Sequence, residues 1–137
     1  MKQLEIVDPK HIYQLWDTLK PFFESSEEQG SGDSSVEHIK TAIIQGTQVL
    51  FVITDNTKIV GTFAVEMINY TNHRVAHVTA LAGNEMFDNH LVEQFETWAK
   101  HNGATKIRAW AKDSQARLYR IKMGLIKSMN IVEKILD

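Results

Sequence analysis

The stretch that decides the fold is ALAGNEMFDNHL, residues 80–91. Its small, apolar start indicates a strand that ends near Gly83, and an amphipathic helix begins a few residues later. The apolar face of that helix consists of Leu91, Val92, Phe95, Trp98 and Ala99. A strand that runs through a loop into a helix N-terminus is where many α/β proteins bind a phosphate. Such a loop usually contains glycines and a basic residue, but this one carries Asn84, Glu85, Met86, Phe87 and Asp88, so its capacity to bind a phosphate is an open question.

The composition predicts a single globular domain over residues 1–137. Hydrophobic residues make up 43% of the chain, which is enough for one core. The net charge of −2 argues against a nucleic-acid-binding protein. The longest apolar run, residues 49–53, is far too short to cross a bilayer, and the N-terminus lacks the apolar stretch of a secretory signal. The absence of cysteine excludes disulfides and thiolate chemistry, and a cytoplasmic protein without a membrane or nucleic-acid partner is expected.

The charges are unevenly distributed along the chain. Residues 104–137 contain eight Lys and Arg against three acidic residues, whereas the segment between Lys20 and Lys40 contains five acidic residues and no basic one. Two interpretations remain open. These charges either belong to an ordinary solvated surface, or they form an acidic entrance for a cationic acceptor and an anion-binding surface elsewhere.

Hydrophobic periodicity and turn signals predict six strands and four helices. The strands are expected over residues 4–7, 49–54, 58–70, 73–82, 105–111 and 126–136. The helices are expected to begin at Asp8-Pro9, at a capping box formed by Ser34 and Glu37, after residue 88, and at Asp113. Pro21 is expected to kink or end the first helix, and residues 24–35 are expected to form a loop. The order β-α-α-β-β-β-α-β-α-β predicts an α+β fold with a mixed, mostly antiparallel sheet flanked by helices.

This order resembles that of the GCN5-related N-acetyltransferase (GNAT) superfamily over essentially the whole chain. Short pieces of sequence carry the same resemblance: Leu91-Val92 and Trp98-Ala99 in the cofactor helix, Asn102-Gly103 after it, and residues 122–125 at the end of the last helix. The resemblance implies acetyl-CoA as the cofactor. It also implies transfer of the acetyl group to a small-molecule or protein amine.

The resemblance further implies which residues bind acetyl-CoA. The cofactor loop of the family carries a basic or amide residue followed by interleaved glycines. Counting back from Leu91 places these positions at Gly83, Asn84, Met86 and Asp88, and none of the four matches. Asp88 is also expected to cap the helix, so this divergent loop would bind a pyrophosphate weakly. The candidate cofactor-binding residues are Leu81, Ala82, Gly83 and Asn84 at the strand end, with Asp113 and Arg120 in the basic C-terminal third.

Acetyl transfer to an amine needs a base for the ammonium group and an acid for the leaving thiolate. The resemblance implies a base on the third or fourth strand, where Glu66 and His77 are the candidates. The acid of the family is often a tyrosine four residues before the glycine of the terminal helix; that position is Arg120, and the adjacent Tyr119 is the candidate acid. Alternatively, His77 is simply packed in the sheet and Glu66 lies on the surface. No metal site is expected, because His73 and His77 lie roughly 13 Å apart along a strand.

Two functions remain open at this point. The chain is an acetyl-CoA-dependent N-acetyltransferase, or it is a catalytically inactive protein that uses the acetyltransferase fold for binding or as a structural module. Degenerate proteins of the second kind occur among tailed-phage proteins, which residues 107–124 resemble. If the chain is such an inactive module, we expect it to form a homodimer through sheet edges or the Trp110 region, or to bind a protein partner. A third interpretation is an unrelated α/β domain that shares the element order by chance.

Overall fold

The computed structural model describes residues 2–29, 35–83, 88–109, 119–121, 123–126, 128–129 and 131–136. The strands are β1 (Lys2–Val7), β2 (Val49–Asp55), β3 (Lys58–Asn69), β4 (Arg74–Gly83) and β5 (Lys106–Ala109). The helices are α1 (Ile12–Gln29), α2 (Val36–Gln45) and α3 (Asn89–His101), and a short 3-10 helix (Pro9–His11) precedes α1. Residues 119–121 and 123 are also helical. This arrangement confirms the predicted α+β fold.

The five strands form one sheet in the order β1-β2-β3-β4-β5. The pairs from β1 to β4 are antiparallel, and β4 and β5 are parallel. The β2–β3 turn is tight because Asn56 and Thr57 both adopt positive φ angles, 51° and 72°, as a two-residue hairpin requires. The β3–β4 turn is closed by a hydrogen bond of 2.8 Å from the Tyr70 amide to the His73 carbonyl. The predicted antiparallel meander is therefore confirmed.

Helices cover both faces of the sheet, since the side chains of each strand alternate between the two. One core lies between the sheet and helices α1 and α2; it includes Leu19, Phe23, Ile39, Ile43, Leu50 and Val52. The other lies between the sheet and α3; it includes Phe51, Phe63, Val65, Leu91 and Phe95. In the second core the rings of Phe51 and Phe63 stack at 4.7 Å, and Phe95 meets both edge-on at 5.7 and 5.3 Å. These packed aromatic rings fix the position of α3 on the sheet.

Helix α1 does not end at Pro21, and it takes up part of the loop that was predicted over residues 24–35. It continues through Pro21 and reaches Gln29, so residues 24–29 are helical where a loop was expected. Leu19 and Phe23, on either side of Pro21, are both fully buried, and this packing outweighs the hydrogen bond that proline removes. Helix α2 is capped by Ser35, one residue after the predicted cap, whose hydroxyl accepts a hydrogen bond of 3.2 Å from the His38 amide.

The C-terminal prediction is corrected as well. The described residues of 126–136 lie in no helix or strand, although a closing strand was expected there. Apolar side chains in this range are exposed, for example Val132 at 91% and Ile135 at 90%, so no sheet ladder orders them within the described part of the chain. The predicted start of the last helix, Asp113, lies outside the described residues. Over the ranges that are described, no helix is long and apolar enough to cross a membrane.

Candidate active site

Three charged or titratable side chains form a row across strands β3, β4 and β5, from the centre of the sheet to its edge. Glu66 on β3 is the register partner of His77 on β4, and His77 is the partner of Arg108 on β5. The residues that flank them along the strands pack in the α3 core: Val65, Met67, Ala76, Val78, Ile107 and Ala109. Because neighbours along a strand point to opposite faces, Glu66, His77 and Arg108 all face the side of α1 and α2. We call these three residues the charged row.

A β-bulge at Thr79 sets the register of this row. Ala64 pairs with Ala80, whereas the next residue, Val65, pairs with Val78, so Thr79 is an extra residue in β4. The Thr79 hydroxyl donates to Gln48 Oε1 at 2.8 Å, which ties the bulge to the segment that precedes β2. If Thr79 were paired with Val65 in a regular ladder, Glu66 would oppose Val78 instead of His77. Bulges of this kind often re-aim side chains beside active sites.

His77 is the member of the row that can serve as a base at neutral pH. Its exposed fraction is only 6%. Burial lowers the pKa of His77 below the usual 6.5; the Glu66 carboxylate opposes this shift, and the Arg108 guanidinium adds to it. The imidazole is therefore neutral at pH 7 and able to accept a proton. The two catalytic candidates on strands, His77 and Glu66, thus lie opposite each other on the same face of the sheet.

Arg108 is held in position by Tyr70, which follows the end of β3. Its Nη1 donates to the Tyr70 hydroxyl at 3.2 Å, and its guanidinium lies 5.2 Å from the centroid of the Tyr70 ring. A cation over an aromatic face is attracted by the ring. Neither residue was predicted from the sequence. The signal for Arg108 is a single charged residue between the apolar Ile107 and Ala109 in a predicted strand, the same pattern that singled out Glu66.

The end of β4 provides an open strand edge beside the charged row. Strand β5 pairs with β4 only from Val75 to Val78, whereas β4 continues to Gly83 along β3. Over 79–83, the side of β4 that faces β5 thus has no strand partner within the described residues. Leu81, Ala82 and Gly83 lie at this edge, where backbone groups were predicted to meet the cofactor. Asn84 lies outside the described residues.

The N-terminus of α3 is occupied by its own capping residue. Asp88 has an extended backbone, and its Oδ1 accepts a hydrogen bond of 2.9 Å from the Leu91 amide. The Asp88 carbonyl accepts another of 3.1 Å from the Val92 amide. A carboxylate at this point uses a helix amide and places negative charge where a pyrophosphate would bind. The open edge of β4 thus fits a pantetheine arm, but the start of α3 does not fit a pyrophosphate in the way that a glycine loop does.

The C-terminal candidates lie on a separate helical turn. Tyr119 is partly buried, and burial raises the pKa of its hydroxyl above the usual 10. Arg120 is exposed, and its carbonyl accepts a hydrogen bond of 3.1 Å from the amide of Gly124, whose φ of 70° ends the turn. Asp113, the remaining candidate, falls outside the described residues. The structure thus unites His77 with Glu66 and adds Arg108, while Tyr119 and Arg120 belong to another element.

A groove of about 540 Å³ lies on the opposite face, between α3 and β1. Its walls include Leu4, Phe51, His90, Gln94 and Trp98. The Gln94 side chain accepts a hydrogen bond of 3.3 Å from the Leu4 amide and so covers part of the β1 edge. None of the charged row reaches this groove, and for that reason the row rather than the groove is the candidate active site.

Comparison with known proteins identifies solved structures with a similar fold. No protein-family model matches the sequence, and no curated protein sequence matches it significantly. Among solved structures, the chain is similar to an aminoglycoside acetyltransferase from an uncultured soil metagenomic sample in complex with sisomicin. The identity is 16%, the TM-score is 0.71, and the match covers 99% of this chain and 95% of that one.

Two further solved structures have the same arrangement. A predicted acetyltransferase with acetyl-CoA from Clostridium acetobutylicum is 18% identical, with a TM-score of 0.66 and coverage of 98% of this chain and 96% of that one. Glucosamine-6-phosphate N-acetyltransferase from Arabidopsis thaliana is 15% identical, with a TM-score of 0.63 and coverage of 100% and 99%. At these identities the likeness establishes the fold and leaves the activity to be argued from the site. The chain thus has the fold of the GCN5-related N-acetyltransferases, as its element order predicts.

Proposed function

We propose that the protein is an acetyl-CoA-dependent N-acetyltransferase that acts on an amine acceptor. The observation that carries this proposal is the position of His77, which lies beside Glu66 next to the open edge of β4. Burial lowers the pKa of His77, and this favours the neutral imidazole that can accept a proton. The amine attacks the thioester carbonyl, the new C–N bond forms, and the C–S bond breaks. His77 takes the proton that the ammonium group of the acceptor must lose. The products are an N-acetylated amine and CoA.

The other candidate residues have supporting roles in this proposal. Glu66 attracts the cationic form of the acceptor toward the row, since its carboxylate lies one strand away from His77. Tyr119 supplies a proton to the leaving thiolate, because a hydroxyl whose pKa is raised stays protonated at neutral pH. A small-molecule or protein amine would satisfy these roles equally. A cytoplasmic location fits an acetyl-CoA-dependent reaction and a chain without cysteine.

Acetyl-CoA binding is the weaker half of the proposal. The pantetheine arm would lie along the backbone of Leu81, Ala82 and Gly83, with Asn84 at the end of the strand. Phosphate contacts would come from the basic C-terminal third, including Arg120 and the segment around Asp113. One neighbour in fold is an acetyltransferase with acetyl-CoA, which supports acetyl-CoA as the cofactor. Asp88 weakens the pyrophosphate contact without blocking the strand edge.

The test is an acetyl-transfer assay that follows CoA release with a panel of amines. The key variant is His77→Gln, and His73→Gln is the matched control. His73 is exposed, and its Nδ1 lies 3.0 Å from the Thr105 hydroxyl, away from the row. Loss of a general base lowers kcat by about 10²–10⁴-fold. We expect this loss for His77→Gln and a near-normal rate for His73→Gln. Equal rates for wild type and His77→Gln would refute the role of His77.

The inactive alternative has one specific observation in its favour. The carboxylate of Asp88 already caps the amides of α3, and that arrangement suits a fold that no longer binds a cofactor. Exposed apolar side chains of the C-terminal segment, such as Ile131 and Val132, would then meet a partner or a second copy in a homodimer. Calorimetry with millimolar acetyl-CoA separates the two functions. No binding, together with a dimer in sedimentation, would favour the inactive module.

A further inference from the structure

We propose that Arg108 is a specificity residue and that the natural acceptor carries an anionic oxygen group, a carboxylate or a phosphate, in addition to its amine. The inference rests on the proposed N-acetyltransferase function. It deepens that function by naming the chemistry of the acceptor. The amine binds at His77 and Glu66, and the anionic group binds at Arg108.

The order of charges in the row is the first argument. Across three adjacent strands, the row runs from a carboxylate on Glu66 through the imidazole of His77 to the guanidinium of Arg108. Adjacent strands are about 4.8 Å apart, so the two charged ends are separated by roughly 10 Å at the backbone. A polyamine would meet repulsion at Arg108, and a simple anion would meet repulsion at Glu66. A molecule with a positive and a negative group on a short spacer complements both.

The surroundings of Arg108 are the second argument. Within the described residues its hydrogen-bond partner is the Tyr70 hydroxyl, and no carboxylate among them lies at ion-pair distance from its guanidinium. The side chain is only partly exposed, so its charge is not fully solvated. A guanidinium has five N–H donors in a planar fork that suits carboxylates and phosphates, and Tyr70 uses one of them. Tyr70 therefore holds the fork in place and leaves donors for an anion.

The accessibility of the row is the third argument. His77 is shielded from water, whereas Glu66 and Arg108 on either side are partly exposed. An acceptor thus meets the two charges first and is oriented by them before its amine reaches the imidazole. An interaction at both ends of a substrate positions the reacting atom between them. This makes Arg108 a residue that binds and orients the acceptor.

The experiment compares acceptors that differ only in the distant group. The probes are 4-aminobutanoate for the carboxylate, 3-aminopropyl phosphate for the phosphate, and butylamine as the neutral counterpart. Arg108→Met removes the charge and keeps an aliphatic stem, and Arg108→Lys keeps the charge without the fork. Arg74→Met is the matched control. Arg74 is also an arginine of this sheet, but its guanidinium donates to the Asn102 carbonyl, just after α3, and to Asn69 Oδ1, at the end of β3.

In the wild type we expect a KM at least about tenfold lower for one of the two anionic amines than for butylamine, as one charged hydrogen bond provides. The preferred probe decides between carboxylate and phosphate. Arg108→Met raises the KM for that probe by about 10–100-fold, leaves the KM for butylamine within about twofold, and changes kcat little. Arg108→Lys recovers part of the loss, and Arg74→Met behaves like the wild type. If Arg108→Met shifted all three acceptors alike, Arg108 would be structural and the inference would fall.

A binding measurement keeps the inference separate from the proposed function. Each probe is titrated into the wild type and into Arg108→Met, with chemical shifts of the His77 ring followed by NMR. If no acceptor is acetylated but an anionic amine binds in a manner that depends on Arg108, the catalytic proposal fails and the acceptor assignment stands. If acetylation occurs without any preference for an anionic amine, the assignment fails and the catalytic proposal stands.

Discussion

Replacement of Asp88 by asparagine tests whether the start of α3 is a weakened phosphate site. Asparagine caps helices about as well as aspartate, so the hydrogen bond to the Leu91 amide is retained while the charge is removed. The perturbation therefore changes electrostatics at the helix N-terminus and little else. We expect Asp88→Asn to bind acetyl-CoA more tightly than the wild type.

The size of the effect follows from Coulomb's law and the exposure of the site. Two unit charges about 5 Å apart interact by about 0.8 kcal/mol in water and by about 3 kcal/mol at an effective dielectric constant of 20. Asp88 is exposed, so the value for water is the better guide. Relief of this repulsion by about 1 kcal/mol tightens binding roughly fivefold. The helix itself loses about 0.3–1 kcal/mol of favourable charge–dipole interaction.

The assay is calorimetric titration of acetyl-CoA at low and at high salt. Glu93→Gln is the matched control, because it removes the same charge from an exposed position of α3 beyond its first turn. The gain for Asp88→Asn should shrink as salt screens the repulsion, and the control should change affinity by less than about twofold. If Asp88→Asn bound no more tightly than Glu93→Gln, the phosphates would not lie at this helix end, and our assignment of the cofactor loop would be refuted.

Four further predictions concern stability and proton affinity. Phe95→Ala lowers the free energy of unfolding in urea by about 3–5 kcal/mol, since a fully buried ring that contacts Phe51 and Phe63 is lost; a cost below about 1 kcal/mol would contradict this packing. Gly46→Ala lowers the free energy of unfolding by about 1 kcal/mol, because Gly46 ends α2 at a φ of 81°. Gly46→Asn lowers it less, and an equal loss for the two variants would argue against a left-handed cap. The lowered pKa of His77 means that the folded state binds its proton less readily than the unfolded chain does. Its contribution to stability is complete above pH 6.5 and is lost as the pH falls below 6.5 through the folded pKa, so the urea midpoint drops less in acid for His77→Gln. An NMR titration of the imidazole should show that Glu66→Gln lowers its pKa further and that Arg108→Met raises it. Shifts of the opposite sign would contradict the placement of these two charges on either side of His77.

The fold could be predicted from the sequence because its signals are local. The apolar positions from Leu91 to Ala99 repeat with a helical period, and α3 is found over Asn89–His101. The two hairpin turns lie at Asn56 and near Thr71, as their polar residues indicate. Errors arose where packing overrides local preference. Pro21 does not end α1 because the buried residues on both sides of it hold the helix to the sheet.

The candidate site could be predicted only in part, because it depends on register. The alternation of Glu66 with apolar neighbours indicates which face it occupies, but not which residue it opposes. That partner is decided by the extra residue at Thr79, which has no clear signal in the sequence. The approach of Arg108 to His77 depends on a parallel pair between strands separated by the whole of α3. The row is therefore a property of the folded sheet.

His77 favours an active enzyme and Asp88 favours an inactive module, but the two residues act on different steps of the proposed reaction. Asp88 opposes the pyrophosphate, which is remote from the bond that breaks, and a remote charge weakens the ground state and the transition state equally. Its removal should thus lower the KM for acetyl-CoA and leave kcat unchanged. Loss of the base at His77 should lower kcat and leave that KM nearly unchanged. A weak phosphate site is consequently no argument against catalysis. If Asp88→Asn bound acetyl-CoA more tightly than the wild type and neither protein acetylated any amine, the chain would be a binding module with the geometry of an enzyme.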